Sequence, residues 1–168
     1  MGRLLSGVAA VRWGELRDAT GDPAGRVPAL LSRIAFGDEQ AARRAVDELA
    51  DAVCALGFVV GGATAPAVPL LLELAVSPTG LCQPELWALL ESICRTEQWH
   101  SAAGPEHGPA LRRQLGWEAA ARAAVHAGRP VVERVAASVR PEDAVPARRL
   151  LRAMDESPPF PTRRGHGR

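Results

Sequence analysis

A short segment of this chain recurs 41 residues further on, and this repeat limits the possible folds more than any other feature. Val27-Pro28-Ala29-Leu30-Leu31 returns at that offset as Val68-Pro69-Leu70-Leu71-Leu72. The apolar positions that follow also match, since Ala45, Leu49 and Val53 correspond to Leu86, Leu90 and Cys94. A weaker third copy runs from Pro130 to Leu151. Because helix pairs that repeat about every 40 residues bury their apolar faces against one another, the pattern predicts an all-α solenoid.

The segment from Asp38 to Leu56 gives the clearest prediction of a single helix. Its apolar residues recur at steps of three and four, with charged residues on the opposite face. Asp38 suits the N-cap and Gly57 the position just after the helix. The other predicted helices span Trp13 to Ala19, Val27 to Phe36, Ala65 to Val76, Pro84 to Trp99, Ala110 to His126, Val131 to Val139 and Pro146 to Met154. Pro69 favours a helix start near Val68, and Gly116 weakens the helix that contains it.

These residues also carry a resemblance to a known family. The run Ala63-Thr64-Ala65-Pro66-Ala67-Val68-Pro69-Leu70-Leu71, preceded by Asp47-Glu48-Leu49 and Trp13-Gly14-Glu15-Leu16, resembles the HEAT-repeat domain proteins common in actinobacteria. The resemblance covers residues 11–95. It implies a right-handed α-solenoid of HEAT/armadillo-like helical pairs that binds other macromolecules, and it implies no reaction. Family members often have His-Gln-Gly after the long helix, where this chain has Ala55-Leu56-Gly57, so any role of those polar side chains is lost here.

The charge distribution bears on the class of partner. All 20 basic residues are arginine, which excludes Schiff-base chemistry and lysine-dependent phosphate loops. Residues 1–128 carry 11 Arg and 14 acids, a net charge of −3, whereas residues 129–168 carry 9 Arg and 5 acids, a net charge of +4. A domain dedicated to nucleic acid usually has a strongly basic face across its folded part. The acidic body therefore disfavours nucleic acid as the partner.

The cysteines and histidines do not indicate a metal centre. Cys82, Cys94, His100 and His107 contain no closely spaced pair of the kind that zinc sites use. Cys54 and Cys94 fall inside apolar helical stretches, which is typical of reduced thiols that fill a core. No sequence motif of a hydrolase, phosphate loop or dinucleotide site is present. We therefore predict no catalytic residues, no metal and no cofactor.

Seven residues are candidates for a binding surface: Glu73, Trp87, Glu91, Trp99, Arg148, Arg149 and Arg152. Glu73 interrupts an otherwise apolar helix, and it either faces a groove, marks the exposed edge of that helix or pairs with an arginine. Glu91 is a candidate groove carboxylate. Tryptophans often anchor partners, although packing between repeats is the more common role. The arginines form a basic end that either contacts an acidic partner or nucleic acid, or serves solubility alone.

We interpret residues 1–10 as an N-terminal extension, 11–154 as the helical-repeat domain and 155–168 as a disordered basic tail. The leading functional hypothesis is a non-enzymatic, protein-binding or regulatory adaptor. The alternatives are a nucleic-acid-binding or base-repair protein and a small lyase-type enzyme. No export signal and no apolar run of about 18 residues is present, so a cytoplasmic protein that does not enter the membrane is expected.

Overall fold

The computed structural model describes residues 3–96 and 108–159. Within these ranges the chain forms seven α-helices and no β-strand. The helices are α1 (Val27–Phe36), α2 (Glu39–Val53), α3 (Thr64–Ala75), α4 (Gln83–Cys94), α5 (Pro109–Ala127), α6 (Arg129–Ala136) and α7 (Pro141–Glu156). Three short 3-10 turns precede α1. The predicted all-α class is therefore confirmed. None of the described helices has the combination of length and apolar composition that a membrane span requires.

The start of α2 follows the prediction, and its end does not. The side chain of Asp38 accepts a hydrogen bond from the backbone N–H of Ala41 at 2.8 Å, as expected of an N-cap. The helix ends at Val53 rather than Leu56, because the chain turns back on itself between Ala55 and Val59. Leu56 and Gly57 both adopt left-handed backbone conformations in this turn, with φ of 56° and 81°.

Several other helix boundaries differ between the prediction and the structure. α3 begins at Thr64, a full turn before Pro69, because the Thr64 hydroxyl donates to the carbonyl of Val53 at 2.6 Å and so ties this end to α2. α5 continues through Gly116 without a break. α4 ends at Cys94 and α6 at Ala136, both earlier than predicted. α7 runs from Pro141 to Glu156, five residues earlier at its start and two residues beyond the predicted domain end.

The predicted helix from Trp13 to Ala19 is wrong. Only Trp13–Glu15 form a single 3-10 turn, and the chain is extended at Leu16. The cause is Asp18, whose buried carboxylate accepts hydrogen bonds from the backbone N–H groups of Thr20 and Asp22. A side chain that binds nearby backbone donors in this way competes with helix formation. The guanidinium of Arg26 completes the site at 3.2 Å.

These contacts make the stability of the fold depend on the charge of Asp18. Burial alone would raise its pKa, but the hydrogen bonds from Thr20, Asp22 and Arg26 outweigh burial and lower the pKa below its ordinary value. A carboxyl group with a lowered pKa stabilises the fold above its unfolded pKa of about 4, and this stabilisation is lost as the pH falls through the folded-state pKa.

We expect Asp18→Asn to reduce the free energy of unfolding at pH 7 by about 1–2 kcal/mol, because the hydrogen bonds lose their charged acceptor. Thermal unfolding of both proteins from pH 7 downward measures the effect. The difference in Tm between them should shrink as the pH falls, since Asp18 itself becomes neutral. A difference that stays constant over this range would contradict the role of the carboxylate charge.

The helices pack in pairs that are joined by further contacts. α1 packs on α2, α3 on α4 and α6 on α7, while α3 also contacts α5 and α4 also contacts α7. One continuous core runs through these contacts and includes Leu31, Leu49, Leu71, Leu90 and Leu150, all completely or almost completely buried.

The relative directions of the helices follow from contacts along their lengths. Arg149 of α7 lies 3.7 Å from Glu91 of α4, and Arg95, just after α4, pairs with Glu156 at the end of α7. α4 and α7 therefore run in the same direction. α3 and α5 are also parallel, since Gln114 near the start of α5 donates to the carbonyl of Val60 before α3, and Leu72 lies against Gly128 after α5.

Candidate functional site

A groove lies between the parallel helices α4 and α7, with a volume of about 350 Å³. Pro84 and Pro141 stand in the first turns of the two helices, where their missing N–H groups break no helical hydrogen bond. Trp87 is only 4% exposed and forms part of the floor. Val145 stands on the facing side of the groove, and 51% of its surface is exposed. An exposed valine beside a buried tryptophan leaves apolar surface open to a partner.

Charged side chains stand along the groove. The carboxylate of Glu91 lies 3.4 Å from the guanidinium of Arg95 and 3.7 Å from that of Arg149. Arg149 is 66% exposed, so water screens this long ion pair and the attraction between the two side chains is weak. Arg152 is exposed one turn further along α7. Glu142 lines the groove near the start of α7. Three charged residues therefore line the groove: Glu142 near the start of α7, and Glu91 with Arg149 further along. Arg152 is not among the lining residues.

The structure brings together three of the seven candidate residues, namely Trp87, Glu91 and Arg149. Trp87 is mostly buried, as packing between helices requires, yet it also lines the groove. Arg148 does not line this groove, because its Nε donates to the carbonyl of Ala136 at 3.2 Å and ties α7 to α6. Trp99 lies outside the described residues.

Glu73 has a different place from the other candidates. Its carboxylate accepts a hydrogen bond from the backbone N–H of Leu5 at 2.7 Å and so holds the N-terminal segment against α3. Glu73 also lines a second groove, of about 420 Å³, between α3 and the junction of α5 with α6. The apolar residues Leu72, Val76 and Val131 supply much of the lining, and Arg134 contributes the other charged group.

Sequence reasoning missed Val145 and Glu142. Both belong to the first half of α7, which was predicted to begin only at Pro146. The signal was present, because Glu142 and Asp143 follow Pro141 as acidic residues follow proline in many first turns. On such a helix Val145 falls on the same face as Pro141, Glu142 and Arg149, so an apolar side chain lies there beside two charged ones.

Two of the three cysteines, Cys54 and Cys94, are buried in the core, and Cys82 is half-buried. Burial raises the pKa of Cys54 to about 12 and that of Cys94 to about 11, so both are protonated at neutral pH. Among the described residues, no three His, Cys, Asp or Glu side chains come close enough together to hold a metal ion. His100 and His107 lie outside that part of the chain.

Comparison with known protein families, with curated proteins and with solved structures gives no match to this chain.

Proposed function

We propose that this chain is a non-catalytic, protein-binding adaptor whose scaffold is a short, right-handed solenoid of HEAT-like helical pairs. The internal repeat of 41 residues supports this scaffold, since its two copies coincide with the pairs α1–α2 and α3–α4. A third pair is formed by α6 and α7, with α5 as the additional helix before it. The parallel course of α4 and α7 is the relation expected for equivalent helices of stacked pairs.

The groove between α4 and α7 is the binding surface in this proposal, and the exposed Val145 beside Trp87 is the observation that carries it. Interfaces are anchored where apolar and aromatic side chains lie at the centre and charged groups form the rim. Charge complementarity defines the occupant. It is a segment of another protein that places an apolar side chain over Val145 and a carboxylate near the exposed guanidinium of Arg149.

A pair of valine substitutions tests this surface. Val145→Arg places a long charged side chain in the groove, whereas Val139→Arg makes the same change at a residue that is 97% exposed after α6. Immobilised wild-type and variant chains are incubated with nuclease-treated extract of the organism that encodes them, and bound proteins are quantified by mass spectrometry. We expect wild type and Val139→Arg to retain the same set of proteins. The retained amount of these proteins should be lower by about tenfold or more on Val145→Arg, because a desolvated charge costs an interface several kcal/mol.

The same comparison tests the alternatives. Equal retention by all three chains would contradict a protein-binding role for this groove. Recovery of nucleic acid in the absence of nuclease, with steep loss as salt increases, would favour the nucleic-acid alternative, since phosphate contacts release counterions. The midpoints of thermal unfolding of both variants serve as the control for folding.

A further inference from the structure

A third groove lies on the other side of α4, between α4 and α2. Its floor is apolar and includes Val46, Ala50 and Leu89. Ala88 lines both this groove and the one between α4 and α7, so only the narrow ridge of α4 separates the two. Side chains as small as alanine on that ridge allow a bound segment to approach the backbone closely.

The rim of this groove is acidic. Asp47, Asp51 and Glu85 line it, and all three are exposed. Within residues 3–96 and 108–159 none of the three forms an ion pair with an arginine. This negative charge acts on the neighbouring Cys82. Burial raises the pKa of its thiol, and the carboxylate of Glu85 raises that pKa further. Unpaired carboxylates around an apolar floor complement a partner that is both apolar and basic.

Leu56 adds an exposed apolar side chain at one end of the groove. It lines the groove and is 80% exposed, although leucine gains nothing from exposure to water. Its φ of 56° lies in the left-handed region, which glycine adopts at lower cost than leucine. A leucine here therefore adds apolar surface at the groove that a glycine would lack.

We infer that the groove between α2 and α4 binds an amphipathic segment of another protein that carries leucine-like side chains and at least two arginines or lysines. The apolar side chains pack on Val46, Leu89 and Leu56. The basic side chains pair with Asp47, Asp51 and Glu85. This inference rests on the proposed protein-binding role and assigns a second groove, with a partner of the opposite charge preference from the groove beside α7.

The probe is a set of peptides selected on the full chain from a phage-displayed random library of about 16 residues, which is long enough for roughly four helical turns. We expect the selected peptides to have a net positive charge and spaced apolar residues. Fluorescence polarisation then gives the affinity of one selected peptide for each variant. Asp47→Arg should weaken binding about tenfold or more, because an attraction becomes a repulsion. Glu48→Arg, at an exposed neighbour outside the groove, should leave binding unchanged.

Leu56→Gly separates binding from stability. We expect it to weaken peptide binding roughly fivefold through the lost apolar contact, while Tm increases because the left-handed position is relieved. Selected peptides that are neutral or acidic, or equal losses for Asp47→Arg and Glu48→Arg, would overturn the inference. Loss of peptide binding on Val145→Arg alone would place the peptide beside α7, which would support the proposed function and contradict the assignment of this groove.

Discussion

Leu49→Asp is expected to lower the free energy of unfolding by about 3–5 kcal/mol, since it places an unpaired carboxylate in the core. Leu49 lies in the middle of α2 and is completely buried. Single domains are stable by only about 5–15 kcal/mol, so the variant should lose a large part of the total stability. Urea unfolding followed by circular dichroism measures the change.

Glu48→Asp is the matched control for this variant. It introduces aspartate at the adjacent position of α2, where the side chain is exposed. We expect a change within about 0.5 kcal/mol, as for most surface substitutions. Equal urea midpoints for Leu49→Asp and wild type would contradict the burial of this face of α2 and, with it, the packing of α2 in the first helical pair.

The second large effect is expected at Gly61, where two loops meet without space for a side chain. A Cβ atom at this position would lie 2.4 Å from the carbonyl oxygen of Asp18 and 2.8 Å from that of Arg17. Both neighbours are backbone atoms, so the loop itself must move. The carbonyl of Arg17 also accepts the backbone N–H of Ala63 at 2.9 Å, and that bond would be disturbed as well.

Gly61→Ala should therefore lower the free energy of unfolding by about 2–3 kcal/mol, in the upper part of the range for overpacking, because backbone atoms cannot easily relax. Gly116→Ala is the control, because Gly116 lies in α5 with no atom within 4 Å of a Cβ. There alanine should stabilise the fold by about 0.5–1 kcal/mol. The two variants thus differ in sign, and thermal unfolding distinguishes them. A stabilising Gly61→Ala would show that these loops do not pack in this way.

The sequence predicted the elements whose signals are local. α2 has a clear apolar stripe and a capping aspartate, and α1 has Pro28 in its first turn, so both starts were predicted. Where the prediction failed, contacts between residues that are far apart in the sequence, or hydrogen bonds from a side chain to the backbone, determine the structure. Thr64 is held by Val53, which starts α3 a turn before Pro69 despite the local preference of proline. Asp18 binds backbone donors and stops the predicted helix after Trp13.

The candidate site was predicted in part for a similar reason. Residue type suggested Trp87, Glu91 and Arg149, but their common groove depends on the parallel course of α4 and α7, which no local pattern encodes. Glu73 was noticed as a charge in an apolar helix, and its bond to the backbone of Leu5 depends on a segment 68 residues away. Arg148 and Arg149 are adjacent in sequence, yet they point to α6 and to α4 respectively.

Photo-cross-linking from the groove beside α7 tests the adaptor function most directly. A photoreactive amino acid replaces Glu142 at the rim of the groove, and in a control chain it replaces the exposed Val139. Both chains are irradiated in extract of the organism that encodes them. The proposal predicts adducts that form from position 142 and not from position 139, that resist nuclease and that are destroyed by protease. Adducts of nucleic acid alone, or the same adducts from both positions, would contradict it.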